Sequence, residues 1–228
     1  MKSRLTRYAV LATILWVVVQ KAAHTQAPSC GANYASMQTA TVLLPLPDIA
    51  QPDEYSCGTA SLLSILSYYG LERDDYRTLK HALGTNRKNG TDYQRMVSYA
   101  RHHGFKVDVI PEMSLAKLDE CLTAKKPVIC SIQAYDEDSP KSQLPTIYAN
   151  QNRNGHFVVA IGFDAANYYF MDPCLAGRRG FVPRGDFDAR WHDDEGTKSK
   201  PDVIHHLGLV IWKSDATPID PHCARRID

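Results

Sequence analysis

Gln51, Cys57, His156 and Asp172 are the residues of this chain whose types and order could do chemistry together. Cys57 sits in Gln51-Pro-Asp-Glu-Tyr-Ser-Cys-Gly-Thr-Ala-Ser-Leu-Leu-Ser-Ile-Leu-Ser-Tyr-Tyr-Gly70, a polar turn that runs into a helical pattern. Ser56 is a fair N-cap and Gly70 a natural stop, which puts Cys57 in the first helical turn. Free backbone N–H groups and the positive end of the helix dipole favour a thiolate there, so the sulfur is set up as a nucleophile. Gln51 leads into the turn, and its amide NH2 could fold back beside the Cys57 N–H to form a two-donor oxyanion hole. Much later, His156 opens the run Asn154-Gly-His-Phe-Val-Val-Ala-Ile-Gly-Phe-Asp164, and Asp172 closes Asn167-Tyr-Tyr-Phe-Met-Asp-Pro173. A carboxylate beside a histidine fixes its tautomer and supports the imidazolium. Nucleophile, base and orienter thus occur in that order. A Cys-Gly pair at a helix start is by itself more often a buried hydrophobe or a disulfide partner; the His and Asp segments overturn that reading.

The elements that position these residues are legible from periodicity. An apolar Val- and Ile-rich strand and an aromatic strand flank the turn Asp164-Ala-Ala-Asn167, and antiparallel pairing sets the start of one beside the end of the other. His156 and Asp172 are therefore expected to be neighbours. Leu62, Leu63, Ile65, Leu66 and Tyr69 form one apolar stripe on the Cys57 helix. The pattern predicts a strand over Thr41–Leu46 and helices over Glu72–Leu83, Thr91–Gly104 and Ser114–Leu122. Further strands are predicted over Phe105–Ile110, Lys126–Ile132 and from His205-His206 to Trp212. The order is helices first, then a sheet, an α+β arrangement.

Gln-x5-Cys-Gly-x-Ala-Ser-Leu with a Tyr-Tyr-Gly helix end, then Gly-His-Phe-Val-Val, then Asp-Pro, resembles the bacteriocin-processing, double-glycine cysteine peptidases of the papain-like clan. The resemblance spans about Leu44 to Lys213. It implies a papain-like fold, an N-terminal helical half packed on an antiparallel β-sheet half with the active site at the junction. It also implies Cys57 as nucleophile, His156 as general base, Asp172 as its orienter and Gln51 as oxyanion donor. Small residues such as Gly-Gly would precede the cut. Gly58, Gly155 and Phe157, the neighbours of Cys57 and His156, are expected to bind substrate. The best-known members are the front domain of an ABC exporter; nothing in this chain could be a transporter, so a free-standing enzyme is expected. The interval from Cys57 to His156 is long for the family, and the extra length falls in the polar segment 134–154.

Composition narrows the alternatives. Hydrophobic residues make up 44% and charged residues 22%, which is ordinary for one globular domain with a real core. The 26 basic side chains nearly balance the 25 acidic ones, which argues against a nucleic-acid or anionic-membrane surface. Lys2, Arg4 and Arg7 precede an apolar run from Tyr8 to Val19, too short to span a bilayer but suited to a signal peptide. We therefore expect residues 1–27 to be a signal peptide or uncleaved anchor, 28–40 a linker, 41–213 the peptidase domain and 214–228 a flexible tail. The protein is expected to be exported, periplasmic or secreted, to act as a monomer on a peptide or protein substrate, and to need no cofactor or metal.

Export permits disulfides, and Cys30, Cys121, Cys130, Cys174 and Cys223 accompany Cys57. Cys130 reads as core, and Cys174 could pair with Cys223 or Cys30. Residues 134–154 read as a structureless polar loop, either a flap over the cleft or a solvated insertion. Gly177–Pro183 reads as a basic turn whose Arg178 and Arg179 meet a substrate carboxylate or Asp186 and Asp188. Phe187, Trp191 and Val182 read as a small lid. Two other functions share these motifs: acyl transfer such as deamidation or transglutamination, and non-catalytic peptide binding.

Overall fold

The computed structural model describes residues 40–71, 75–136, 138–140, 143–175, 179–194 and 202–214, all within one compact unit spanning 35–228. The expected signal peptide, nearly all of the linker and tail, Cys30, Arg178 and Cys223 lie outside the described residues. In chain order the elements are β1 (Val42–Leu43), α1 (Cys57–Tyr68), α2 (Tyr76–Ala82), α3 (Tyr93–His102), β2 (Lys106–Ile110), α4 (Leu115–Thr123), β3 (Val128–Gln133) and α5 (Leu144–Ala149). There follow β4 (Gly155–Phe163), β5 (Asn167–Met171), a 3-10 turn (Pro173–Leu175), β6 (Arg179–Pro183), α6 (Arg184–Arg190), β7 (His192–Asp194), β8 (Val203–His205) and β9 (Gly208–Trp212). One antiparallel sheet runs in the order β2-β9-β3-β4-β5-β6, with β1 also paired to β4; β7 and β8 form a separate hairpin.

α1 is the centre of the molecule. It was expected to bury one stripe, yet it is enclosed nearly all round, from Gly58 to Leu66. Leu62, Ile65 and Leu66 have no exposed surface, and each contributes roughly 1.5–3 kcal/mol of apolar burial. The serines between them are buried because each has a partner: Ser61 Oγ donates to Phe157 O at 3.2 Å and Ser64 Oγ to Pro47 O at 2.6 Å. Gly58 permits the close approach at the helix start. A Cβ there would meet Thr91 Cβ at 2.7 Å and a Phe157 ring carbon at 3.1 Å.

Several expectations are corrected. β1 is shorter than Thr41–Leu46: it pairs with β4 only at Val42 and Leu43, the last bond to that strand runs from Leu44 N to Ile161 O at 2.6 Å, and Pro47 has no N–H to carry the ladder on. Asp92, not Thr91, caps α3 by accepting from Gln94 N; Thr91 instead joins a buried hydroxyl cluster with Thr59 and Thr85. Segment 134–154 is not structureless: it carries α5, and Tyr148 packs under the Arg190 guanidinium at 4.1 Å. Arg179–Pro183 is a sheet strand paired with β5, not a free turn, and Arg179 bonds Leu46 O and Asp48 rather than Asp186 or Asp188. Phe187 and Trp191 are fully buried and stacked at 4.8 Å, so they are core, not a lid. The chain breaks between His205 and Gly208, where His206 takes a left-handed φ of 50°; His205 ends β8 and the last strand starts at Gly208. Among the described residues no helix is long and apolar enough to cross a membrane.

Candidate active site

The β4–β5 hairpin brings the start of one strand to the end of the other. Asp164 shapes its turn, its carboxylate accepting from the backbone N–H groups of Ala166 and Asn167 at 2.8 and 2.7 Å. At the far end, His156 Nε2–H donates to Asp172 Oδ1 at 2.9 Å, with the two side chains 6% and 9% exposed. Cys57 starts α1, whose N-terminus is held against the same strand. The Phe157 backbone N–H donates to Cys57 Sγ at 3.5 Å, which sets the sulfur beside the His156 segment of β4. With Nε2 committed to Asp172, Nδ1 is the ring nitrogen left for proton exchange with the sulfur. Burial works against a charged imidazole, but Asp172 and Cys57 outweigh it and raise the His156 pKa to about 10.

Asp172 is saturated with donors. Oδ1 accepts from His156 and from the Cys174 backbone N–H at 2.9 Å, and Oδ2 accepts from the Tyr135 hydroxyl at 2.7 Å. Burial would raise the carboxyl pKa, but the His156 bond and charge, aided by Tyr135 and Cys174, hold it below the ordinary carboxylate value. The approach to His156 is clamped as well. Asn154 N donates to Gln133 Oε1 at 3.0 Å, while Gln133 Nε2 and Ser131 Oγ donate to the Asp193 carboxylate. Burial holds the Asp193 carboxyl above its usual range.

The turn before Cys57 is fixed from α2. Lys80 pairs with Asp53 at 2.5 Å and bonds the Tyr55 hydroxyl, and the Tyr76 hydroxyl bonds the Ser56 hydroxyl. Ser56 occupies the N-cap position without a side-chain cap bond, its hydroxyl being taken by Tyr76. Gln51 N donates to Pro173 O at 3.1 Å, which ties this turn to the residue after Asp172. One Gln51 amide N–H donates to Asp53 O at 2.8 Å, leaving the other for a ligand; Oε1 is buried without a partner.

The three residues named as substrate contacts separate. Gly58 is buried inside against Thr91 and Phe157, so it packs the helix rather than lining a cleft. Phe157 is 7% exposed and meets Cys57 through its backbone; Gly155 is exposed beside the Asp193 carboxylate. Cys57, Cys121, Cys130 and Cys174 are all free thiols. The ligand atoms of His156, Asp172 and Cys174 lie within 4.8 Å of one another, close enough for an ion to bridge, although the bonds above already engage His156 Nε2 and both Asp172 oxygens. Tyr135 and the Gln133–Asp193 cluster escaped the sequence reading. The available signal was an aromatic residue just beyond the strand that pairs with the His156 strand.

Residues 43–199 match the model of the Peptidase_C39 like family. No curated protein matches the chain. The chain is similar in structure to the peptidase domain of Streptococcus ComA, a bi-functional ABC transporter involved in quorum sensing, at 18% identity over 74% of this chain and 99% of that one, with a TM-score of 0.53. A protein from Bacillus anthracis described as a C39-like peptidase aligns at 19% identity over 75% and 97%, with a TM-score of 0.55. A double-glycine-motif protease from an AMS/PCAT transporter, solved with its leader peptide, aligns at 21% identity over 75% and 94%, with a TM-score of 0.50. At these identities the structural likenesses establish the papain-like fold. The family match covers well over half of the sequence, and the chain belongs to the Peptidase_C39 like family of cysteine peptidases.

Proposed function

We propose that this C39-like cysteine peptidase cuts peptide bonds with Cys57 as nucleophile, His156 as general base and acid, and Asp172 as orienter. The observation that carries the reading is a free thiol held 3.5 Å from the Phe157 N–H, next in sequence to a histidine whose Nε2 lies 2.9 Å from a buried carboxylate. Nδ1 holds the proton that Cys57 has given up, the thiolate attacks the carbonyl carbon, and the imidazolium then gives its proton to the leaving amine. Asp172 keeps Nε2 protonated and leaves Nδ1 to the sulfur. The free Gln51 amide N–H and the Cys57 backbone N–H receive the oxyanion, each such donor being worth about 3 kcal/mol. Water cleaves the thioester and regenerates the thiol.

We assign the enzyme itself to an exported location and its substrate to peptides with small residues, such as Gly-Gly, before the cut. Support comes from the double-glycine protease solved with its leader peptide and from the basic, apolar N-terminus. Purified protein and its Cys57→Ala variant, incubated with Gly-Gly leader peptides and a mixed peptide library, test this. Cleavage by the wild type alone, with each product pair gaining one water, is expected. Equal cleavage by both would end the reading, and a product lacking the added water would mean another acyl transfer.

A further inference from the structure

Tyr135 stands two residues beyond β3 in a conformation that folding alone does not favour. Its φ is 62°, in the left-handed region that costs an L residue roughly 1–2 kcal/mol, and its side chain is 45% exposed. The backbone on both sides is pinned. Ala134 N donates to Asn154 O at 2.9 Å, and Asp136 N donates to the Tyr148 hydroxyl at 2.8 Å. Arg190 covers the Tyr148 ring and donates through Nε to Gln133 O at 2.6 Å. These anchors deliver the Tyr135 ring to the dyad. Its hydroxyl meets Asp172 Oδ2 at 2.7 Å, and the ring lies edge-to-face with the His156 imidazole, centroids 5.3 Å apart. Strain persists where surrounding structure imposes it, and it gathers at functional sites.

We propose that Tyr135 is a positioning residue of the peptidase reaction, whose hydroxyl fixes the rotation of the Asp172 carboxylate while its ring screens the His156–Asp172 bond from water. The inference rests on the triad reading given above. A carboxylate held from one side can rotate about its bond to the chain, and every rotation away from His156 releases the imidazole. With Tyr135 on Oδ2 and the Cys174 N–H beside His156 on Oδ1, both oxygens are held. The titratable and charged groups that face this pair are His156, Cys57, Cys174 and Arg190. Among these, none replaces the hydroxyl as the recorded donor to Oδ2.

Two variants separate the roles. Tyr135→Phe keeps the ring and removes the hydroxyl; Tyr135→Gly removes both and relieves the left-handed backbone, so it is expected to fold at least as stably. Peptide kcat and KM are measured from about pH 2 to 9, a range that reaches below the ordinary carboxylate value. The low-field proton signal of His156 Nε2–H is followed for exchange with water. Tyr135→Phe is expected to lower kcat about tenfold at unchanged KM, since a hydrogen bond to a charged group is lost. The acid limb moves to higher pH because Asp172 loses a donor to its charged form, while the proton signal persists. Tyr135→Gly is expected to lose more rate and to broaden the signal through exchange. Wild-type kcat, acid limb and signal in both variants would overturn the proposal, as would a change confined to KM. If the wild type proves inactive on peptides, the triad reading fails, and the proton signal alone still decides whether Tyr135 shields the dyad.

Discussion

At the scale of single residues, reactivity is set by who donates to whom. Asp172 receives from His156, Cys174 N and Tyr135, and no competing acceptor is recorded on His156 Nε2. Asp172→Asn removes the negative partner and allows the wrong imidazole tautomer; kcat should fall by roughly 10³- to 10⁴-fold. The same substitution has a pH signature in stability. Folded His156 keeps its proton to about pH 10 against an ordinary 6.5, and Asp172 is held below its ordinary 3.8. The His156 contribution is complete below pH 6.5 and is lost as pH rises through 10; the Asp172 contribution is complete above 3.8 and is lost as pH falls. Both are whole only between those ordinary values. Asp172→Asn should therefore depress the thermal midpoint most near about pH 5 and least in alkali. Thermal unfolding across this range checks it, and a pH-independent penalty would contradict it.

At the scale of elements, α1 and the β4–β5 hairpin carry the residues of the proposed site, and both elements were legible because their signals are local. A polar turn before an apolar helix and an Asp-x-x-Asn turn between two strands each specify their own geometry. The closeness of His156 and Asp172 follows from antiparallel pairing, while the place of Cys57 beside them came from the family resemblance. What sequence could not give depended on distant partners. β6 reads as a turn because Arg179 and Gly180 lack apolar alternation, and only its pairing with β5 makes it a strand. Tyr135 drew no reading from sequence, because its approach to Asp172 depends on α5 and Arg190 fixing the backbone around it. Gly58 looked like part of a cleft and is instead the contact that seats α1 on Phe157. Gly58→Ala forces a methyl against Thr91 and should cost about 1–3 kcal/mol. The urea midpoint should drop, and activity should fall even where the protein remains folded, because the sulfur is displaced from His156. An unchanged midpoint would contradict this packing.

At the scale of the whole molecule, charge is nearly balanced, with a formal net of +1. No long-range field steers an uncharged peptide into the site. For such a substrate, kcat/KM should change less than about twofold between low and high salt, since the key ion pair is buried and weakly screened. A steep salt dependence would point to an unrecognised charged docking surface. The sheet and α1 bury the dyad from one side, and segment 134–154 reaches it from the other through Tyr135. Segment 134–154 is thereby tied to the site it precedes.

The account turns on which sulfur forms the acyl intermediate, because Cys174 is a second free thiol near the same dyad. Turnover of a peptide ester, quenched in acid and read by intact and peptide-level mass spectrometry, measures this directly. The account predicts a thioester of the N-terminal product on Cys57, absent from Cys57→Ala and unaffected in Cys174→Ser. An adduct carried by Cys174, or turnover with no adduct on Cys57, would contradict it.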